Sequence, residues 1–219
     1  MRSEPPADDT WIGRQAMLDS FVGRLERASF GRGTTWLVGG EAGIGKTSLL
    51  DRCADDARSR GVAVFWGRCQ DVPGAPACWP FVQICEAAFA TLPEAERQEL
   101  RAPLGPLLSG NTTQATFDQP SERFRVFDAA LRLLRAVSRQ QVVLIVLDDL
   151  HFADASSLAL AEWLSREARN LPLFLLCGHR DGGTRTLAET LGALLHGGSE
   201  LVSLSGLSLD EVSTWLEAR

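Results

Sequence analysis

Residues Gly40-Glu41-Ala42-Gly43-Ile44-Gly45-Lys46-Thr47 follow the spacing G-x-x-x-x-G-K-[ST], and each residue type in that pattern has a use toward a chain of phosphates. Glycines let the backbone turn so that successive N–H groups converge on phosphate oxygens. A helix opening just after them, through Lys46, Thr47 and Ser48, aims its positive end at the same charge. The Lys46 ammonium is a compact cation that can reach between a β- and a γ-phosphate, and the Thr47 hydroxyl is a hard oxygen suited to Mg²⁺. Of the 22 basic residues 21 are Arg, and Lys46 is the single lysine. A generic surface charge in this chain would have been written Arg, so the lysine speaks for a specific role.

Two further places carry chemistry. The most apolar stretch, Val142 to Leu147, ends in Asp148-Asp149. If it is a strand beside the glycine-loop strand of a parallel sheet, its carboxylates stand at the mouth where such sheets bind ligands. Asp148 would then hold Mg²⁺ through its water shell, and Asp149 would orient or deprotonate an attacking water. The plainer reading is a turn that needs polar residues. After the strand Leu173 to Cys177 comes Gly178-His179-Arg180-Asp181; Arg180 could reach a γ-phosphate, the alternative being a surface pair with Asp181. His151 and His179 have no metal-ligand company and read as structural or loop residues, and Trp66, Trp79 and Trp163 read as packing.

The elements that must position these residues follow from periodicity. Met17, Leu18, Phe21, Val22 and Leu25 recur at helical spacing; Thr34 to Val38 is an apolar strand feeding the glycine turn. Leu49, Leu50, Cys53, Ala54 and Ala57 form the core face of the next helix. A strand from Val62 to Trp66 precedes a Pro- and Gly-containing loop, and a helix runs from about Pro80 to Thr91. Residues 102 to 120 read as a connection, followed by a helix with Phe124, Phe127, Leu131, Leu134 and Val137 inward. After the Asp-Asp strand come a helix from Ala155 to Ala168, the strand Leu173 to Cys177, a helix from Thr186 to Leu195 and a short strand, Leu201 to Leu204. Strand and helix alternate five times, which predicts an open α/β fold in three layers, a mostly parallel five-stranded sheet with helices on both faces. Residues 1–10 read as a disordered lead-in, residues 11–206 as the nucleotide-binding domain, and residues 207–219, opening on the capping box Ser208-Leu-Asp-Glu211, as the start of a truncated helix.

Composition excludes several classes. With 219 residues and 45% hydrophobic content the chain can bury a sizeable core. A net charge of −6 without a basic block argues against direct nucleic-acid contact. No apolar run approaches the roughly 20 residues that span a bilayer, and no secretion signal opens the chain, so a cytoplasmic protein without a membrane role is expected. Cys53, Cys69, Cys78, Cys85 and Cys177 form an odd set without a C-x-x-C pair, the pattern of reduced thiols.

Four stretches together resemble one group, the signal-transducing ATPases with numerous domains (STAND), a branch of the AAA+ class of P-loop NTPases, and in particular the N-terminal ATPase of large ATP-dependent LuxR-type transcriptional regulators. Trp11-Ile-Gly13-Arg14 looks like the entry motif F-x-G-R-E, with Gln15 in place of Glu. Gly39 to Thr47 matches the P-loop (Walker A), and Leu147-Asp-Asp-Leu-His-Phe-Ala-Asp154 is similar to the Walker B stretch D-D-L-H-W-A-D, with Phe152 for Trp. Gly67-Arg-Cys69, Gly74-Ala-Pro76 and Trp79-Pro80 resemble the loop after the second strand. The resemblance implies a strand order 5-1-4-3-2, with Asp148 two strands from the P-loop strand. It places Gly13 and Arg14 near the adenine, makes Arg180 a sensor, and implies ATP or ADP with Mg²⁺ as ligands. It further implies partner domains in a longer chain (a helical lid, a winged helix, helical repeats) and allows an oligomer that depends on nucleotide.

The expectation is an ATP-binding module of a larger cytosolic regulator that hydrolyses slowly, with Lys46, Asp149 and Arg180 as the catalytic set. Rival readings are a fast AAA+ motor or P-loop kinase, and a scaffold that holds ADP permanently. ATP is favoured over GTP only by the resemblance, since no N-K-x-D motif is present.

Overall fold

The computed structural model describes residues 14–70, 74–110, 112–113, 117–206 and 213. The order of elements is α1 (Gln15–Ser29), β1 (Thr34–Gly39), α2 (Lys46–Ser59), β2 (Ala63–Arg68), α3 (Trp79–Thr91), α4 (Glu94–Arg101) and α5 (Gly105–Leu108). Then follow α6 (Pro120–Ser138), β3 (Val143–Asp148), a 3₁₀ turn (Leu150–Phe152), α7 (Ala155–Ala168), β4 (Leu173–Gly178), α8 (Arg185–His196) and β5 (Glu200–Ser203). The lead-in, Trp11 to Gly13 and the helix expected from Ser208 fall outside the described residues, Ser213 apart.

The five strands form one sheet in the order β2-β3-β4-β1-β5, every pair parallel. This is the expected order read from the other edge. Strands β3 and β4 are buried along their whole length, which is why they read as unbroken apolar runs. Alternation along the central strands divides the core in two. Trp36, Val38, Leu144, Val146, Phe174 and Leu176 face α1 and α2, where they meet Leu18, Phe21, Leu25 and the predicted face of α2. Leu37, Ile145, Leu147, Leu175 and Cys177 face the other way, onto α3, α6, α7 and α8. Phe21 is fully buried with its ring 5.2 Å from that of Phe174, so truncating it would cost about 3–5 kcal/mol.

Two expectations are corrected. The stretch 102–120 is not merely a connection, because it holds α5, whose Leu107 and N-cap Leu104 are fully buried beside α3. Phe124 does not point inward; it is 63% exposed, while Phe127, Leu131, Leu134 and Val137 are buried as expected. Helix α6 begins at Pro120 and its buried stripe starts only at Val126, so the first turn lies outside the core that the helical period would assign to it.

Candidate functional site

The loop from Gly40 to Gly45 joins β1 to α2, and its shape depends on glycine. Gly43 and Gly45 hold φ of 75° and 94°, backbone that a side chain would strain. Gly45 is the N-cap of α2 and offers no capping side chain, so the first turn of that helix keeps its amide donors for an anion. Neighbouring strands anchor the start of the loop. The His179 amide donates to Val38 O at 2.9 Å, the Leu204 amide to Gly39 O at 2.8 Å, and the Asp181 amide to Gly40 O at 3.3 Å.

Lys46 is the first residue of α2 and is buried, its Nζ donating to Gly40 O at 2.9 Å and Glu41 O at 2.7 Å. The ammonium is thus held inside the curl of its own loop. Thr47, one residue on, donates from Oγ1 to Asp148 Oδ2 at 3.0 Å. Asp148 ends β3 and is buried; its other oxygen accepts the Asp149 amide at 3.0 Å. Burial, and after it the neighbouring Asp149 charge, push the Asp148 carboxyl above the usual range, while the Thr47 and amide hydrogen bonds pull the other way. The pocket for this carboxylate depends on Gly178, at the end of β4. A Cβ there would stand 3.1 Å from Asp148 Oδ1 and 3.1 Å from Leu50 Cδ2.

Strand β4 lies between β1 and β3, so Asp148 is two strands from the loop strand and not beside it. It reaches Thr47 because parallel strands end level and α2 starts above them. The β4 end in turn carries Arg180, which is exposed and lines the same cavity of about 410 Å³ with Ala42, Gly43, Gly45, Lys46, Thr47, Ser48, Asp149, His151 and Phe152. Asp149 sits at φ 56°, a left-handed conformation unusual outside glycine, with its side chain half exposed.

The described residues among those predicted gather around the glycine loop. Arg14 donates to Gly45 O at 3.0 Å and also to Ile44 O, so its guanidinium braces the glycine loop. Gly13 lies outside the described residues. Sequence reading missed three participants. His151 lines the cavity with its side chain 9% exposed, and burial lowers its pKa, opposed by the Asp149 charge and reinforced by Arg180 and Lys46. Gly178 has no motif of its own. Asp154 is the N-cap of α7, accepting from the Ser156 and Ser157 amides at 2.9 and 3.0 Å, and it also accepts the Cys78 amide at 3.2 Å, which ties α3 to α7.

The donor set at Thr47 and Asp148 is hard oxygen, which suits Mg²⁺ completed by phosphates and water. Among the described residues no cluster of three or more His, Cys, Asp or Glu could cage a metal. A larger cavity of about 740 Å³, bounded by Cys69, Trp79, Pro80 and Thr112, shares Phe152 with this one. No cation stands among its described lining residues, so it is unsuited to phosphate.

A parallel sheet of this order, with a glycine loop after β1 and an aspartate closing β3, defines an α/β P-loop fold of the AAA+ kind. Residues 10–176 match the family described as AAA ATPase domain, and the chain belongs to that family. No curated protein matches it. Among solved structures, Cdc6p from Pyrobaculum aerophilum shares 14% identity and a TM-score of 0.59, covering 100% of this chain and 51% of its own. The Aeropyrum pernix ORC2 protein, solved as ADPNP–ADP complexes, shares 17% identity and a TM-score of 0.52, with 96% and 53% covered. A STAND protein with a tetratricopeptide repeat sensor from Pyrococcus horikoshii shares 18% identity and a TM-score of 0.54, with 96% and 25% covered. This chain thus spans about half the length of the first two and a quarter of the third. Among the described residues no helix is long and apolar enough to cross a membrane.

Proposed function

We propose that this chain is an ATP-binding, slowly hydrolysing switch module of a larger cytoplasmic regulator, akin to the STAND and LuxR-type proteins it resembles. The observation that carries this reading is the Thr47–Asp148 hydrogen bond beneath a glycine loop that already holds the Lys46 ammonium. In the reading, the loop amides and Lys46 bind the β- and γ-phosphates, Lys46 exchanging its two carbonyl partners for phosphate oxygens. Thr47 and Asp148 hold Mg²⁺, which when bound neutralises charge on the β- and γ-phosphate oxygens. Asp149 orients a water whose oxygen bonds to the γ-phosphorus as the bond to the β–γ bridging oxygen breaks, giving ADP and inorganic phosphate. Arg180 meets the charge on the γ-phosphate.

Slow turnover fits the half-exposed Asp149 and exposed Arg180, since a site open to solvent neither fixes its water nor strengthens its charges. Regulation follows if ATP and ADP favour different conformations of the whole protein. The Pyrococcus horikoshii relative pairs its ATPase with a repeat sensor; a lid, a winged helix and helical repeats are the partners this reading assigns, and an oligomer that depends on nucleotide is consistent with it. The acidic balance of the chain, at −6, speaks against direct nucleic-acid contact by this segment.

The test is Mg²⁺-ATP turnover and ADP affinity for the chain and for Lys46→Ala. Turnover on the scale of minutes with nucleotide binding lost in Lys46→Ala is the expected result. Turnover near one per second would overturn the slow switch in favour of a motor or kinase, and binding that is indifferent to Lys46 would overturn the site. Asp149→Asn should bind normally and lose turnover; a permanent ADP scaffold would be unaffected.

A further inference from the structure

His151 lines the nucleotide cavity, and the reading above gives its imidazole no part. Its imidazole is 91% buried by side chain, yet Nδ1 has no hydrogen-bond partner among the described residues. A buried ring nitrogen left unpaired costs free energy, so its persistence calls for a partner that arrives in another state of the site. Asp149 Oδ1 lies 3.9 Å from that nitrogen, beyond hydrogen-bond distance. The two residues are held differently. His151 sits in the 3₁₀ turn with its ring 4.1 Å from that of Phe152, whereas Asp149 is half exposed on left-handed backbone. The half-exposed carboxylate is free to change rotamer, while the buried ring is confined by its packing.

We propose that His151 is the positioning residue for Asp149: its Nδ1–H takes one carboxylate oxygen when nucleotide fills the cavity, leaving the other oxygen to hold the attacking water. The inference rests on the role proposed for Asp149. One oxygen anchored and one presented is the arrangement that fixes a base without consuming it, as outer partners do for other catalytic groups. A neutral imidazole carries one proton, so the Nδ1–H tautomer is required in the nucleotide-bound state.

Two measurements test it. In the whole chain bound to Mg²⁺ and the non-hydrolysable analogue ADPNP, ¹⁵N spectra of the labelled histidines should give His151 as the Nδ1–H tautomer, a signal that changes in Asp149→Asn. The Nε2–H tautomer in that complex would overturn the proposal whatever the activity. In kinetics, His151→Leu should lower kcat about 10- to 100-fold with KM and ADP affinity changed less than about twofold, the size of one hydrogen bond to a charged group. His151→Asn, whose amide can take the place of Nδ1, should recover more of kcat than His151→Gln. The double variant His151→Leu/Asp149→Asn should be no slower than Asp149→Asn alone. Full activity in His151→Leu alongside a dead Asp149→Asn would sink the positioning role and leave the hydrolase reading intact. An Asp149→Asn chain as active as wild type would sink both.

Discussion

Thr47 and Asp148, 101 residues apart in the chain, are joined by a 3.0 Å hydrogen bond that spans the end of the intervening strand β4. It connects the first turn of α2 to the end of β3, and the remaining oxygen of the buried carboxylate accepts the Asp149 amide.

Asp148 should therefore make the stability of the nucleotide-free protein fall as pH rises. Its carboxyl is raised by burial, so between the ordinary carboxylate pKa and the raised one the folded state holds more protons than the unfolded, and the slope of unfolding free energy with pH is negative. In EDTA, Asp148→Asn should flatten the fall of Tm with pH above the ordinary carboxylate range. A wild-type Tm that climbs through that window, or an unchanged slope in the variant, would refute the assignment.

Arg14→Ala removes the guanidinium that braces Ile44 O and Gly45 O. The glycine loop should lose its pre-set curl, and ADP affinity should fall about 10-fold, the scale of a hydrogen bond from a charged donor. Calorimetric titration of wild type and variant decides it; the far-ultraviolet circular dichroism should not change.

Asp154→Ala should destabilise the fold by about 2 kcal/mol, since it takes away the α7 cap and the partner of the Cys78 amide. For a chain of this size that corresponds to a Tm lower by about 4–8 °C. Nucleotide affinity at 20 °C should stay within about twofold, because Asp154 does not line the phosphate cavity.

All five cysteines are buried and free. Burial pushes the thiols of Cys53, Cys85 and Cys177 up to about 12 and raises those of Cys69 and Cys78 as well. An exposed-thiol reagent at pH 8 should label none of them rapidly in the native protein and all five in denaturant. Rapid native labelling would show that the loop beside Cys69 or the turn at Cys78 opens.

Much of this was legible beforehand, because the decisive signals are local. The glycine spacing before Lys46, the unbroken apolar run before Asp148 and the helical stripe from Leu49 to Ala57 each encode their element within a few residues, where backbone sterics and burial period act. What local sequence could not fix is distance between strands. The strand order was legible only through the resemblance, and only the assembled sheet made Gly178 the residue that leaves room for the Asp148 carboxylate and set Asp154 at the junction of two helices. Phe124 misled for the same reason: periodicity says which face of a helix is apolar, whereas the extent of the sheet beneath decides where that face is covered. The sequence by itself determined the class of ligand chemistry and the alternation of strand and helix around it. The tertiary structure decided which carboxylate meets Thr47, where Arg14 braces the loop, and that His151 stands buried and unpaired beside Asp149, since each of these is a contact between segments whose separation in space no periodicity records.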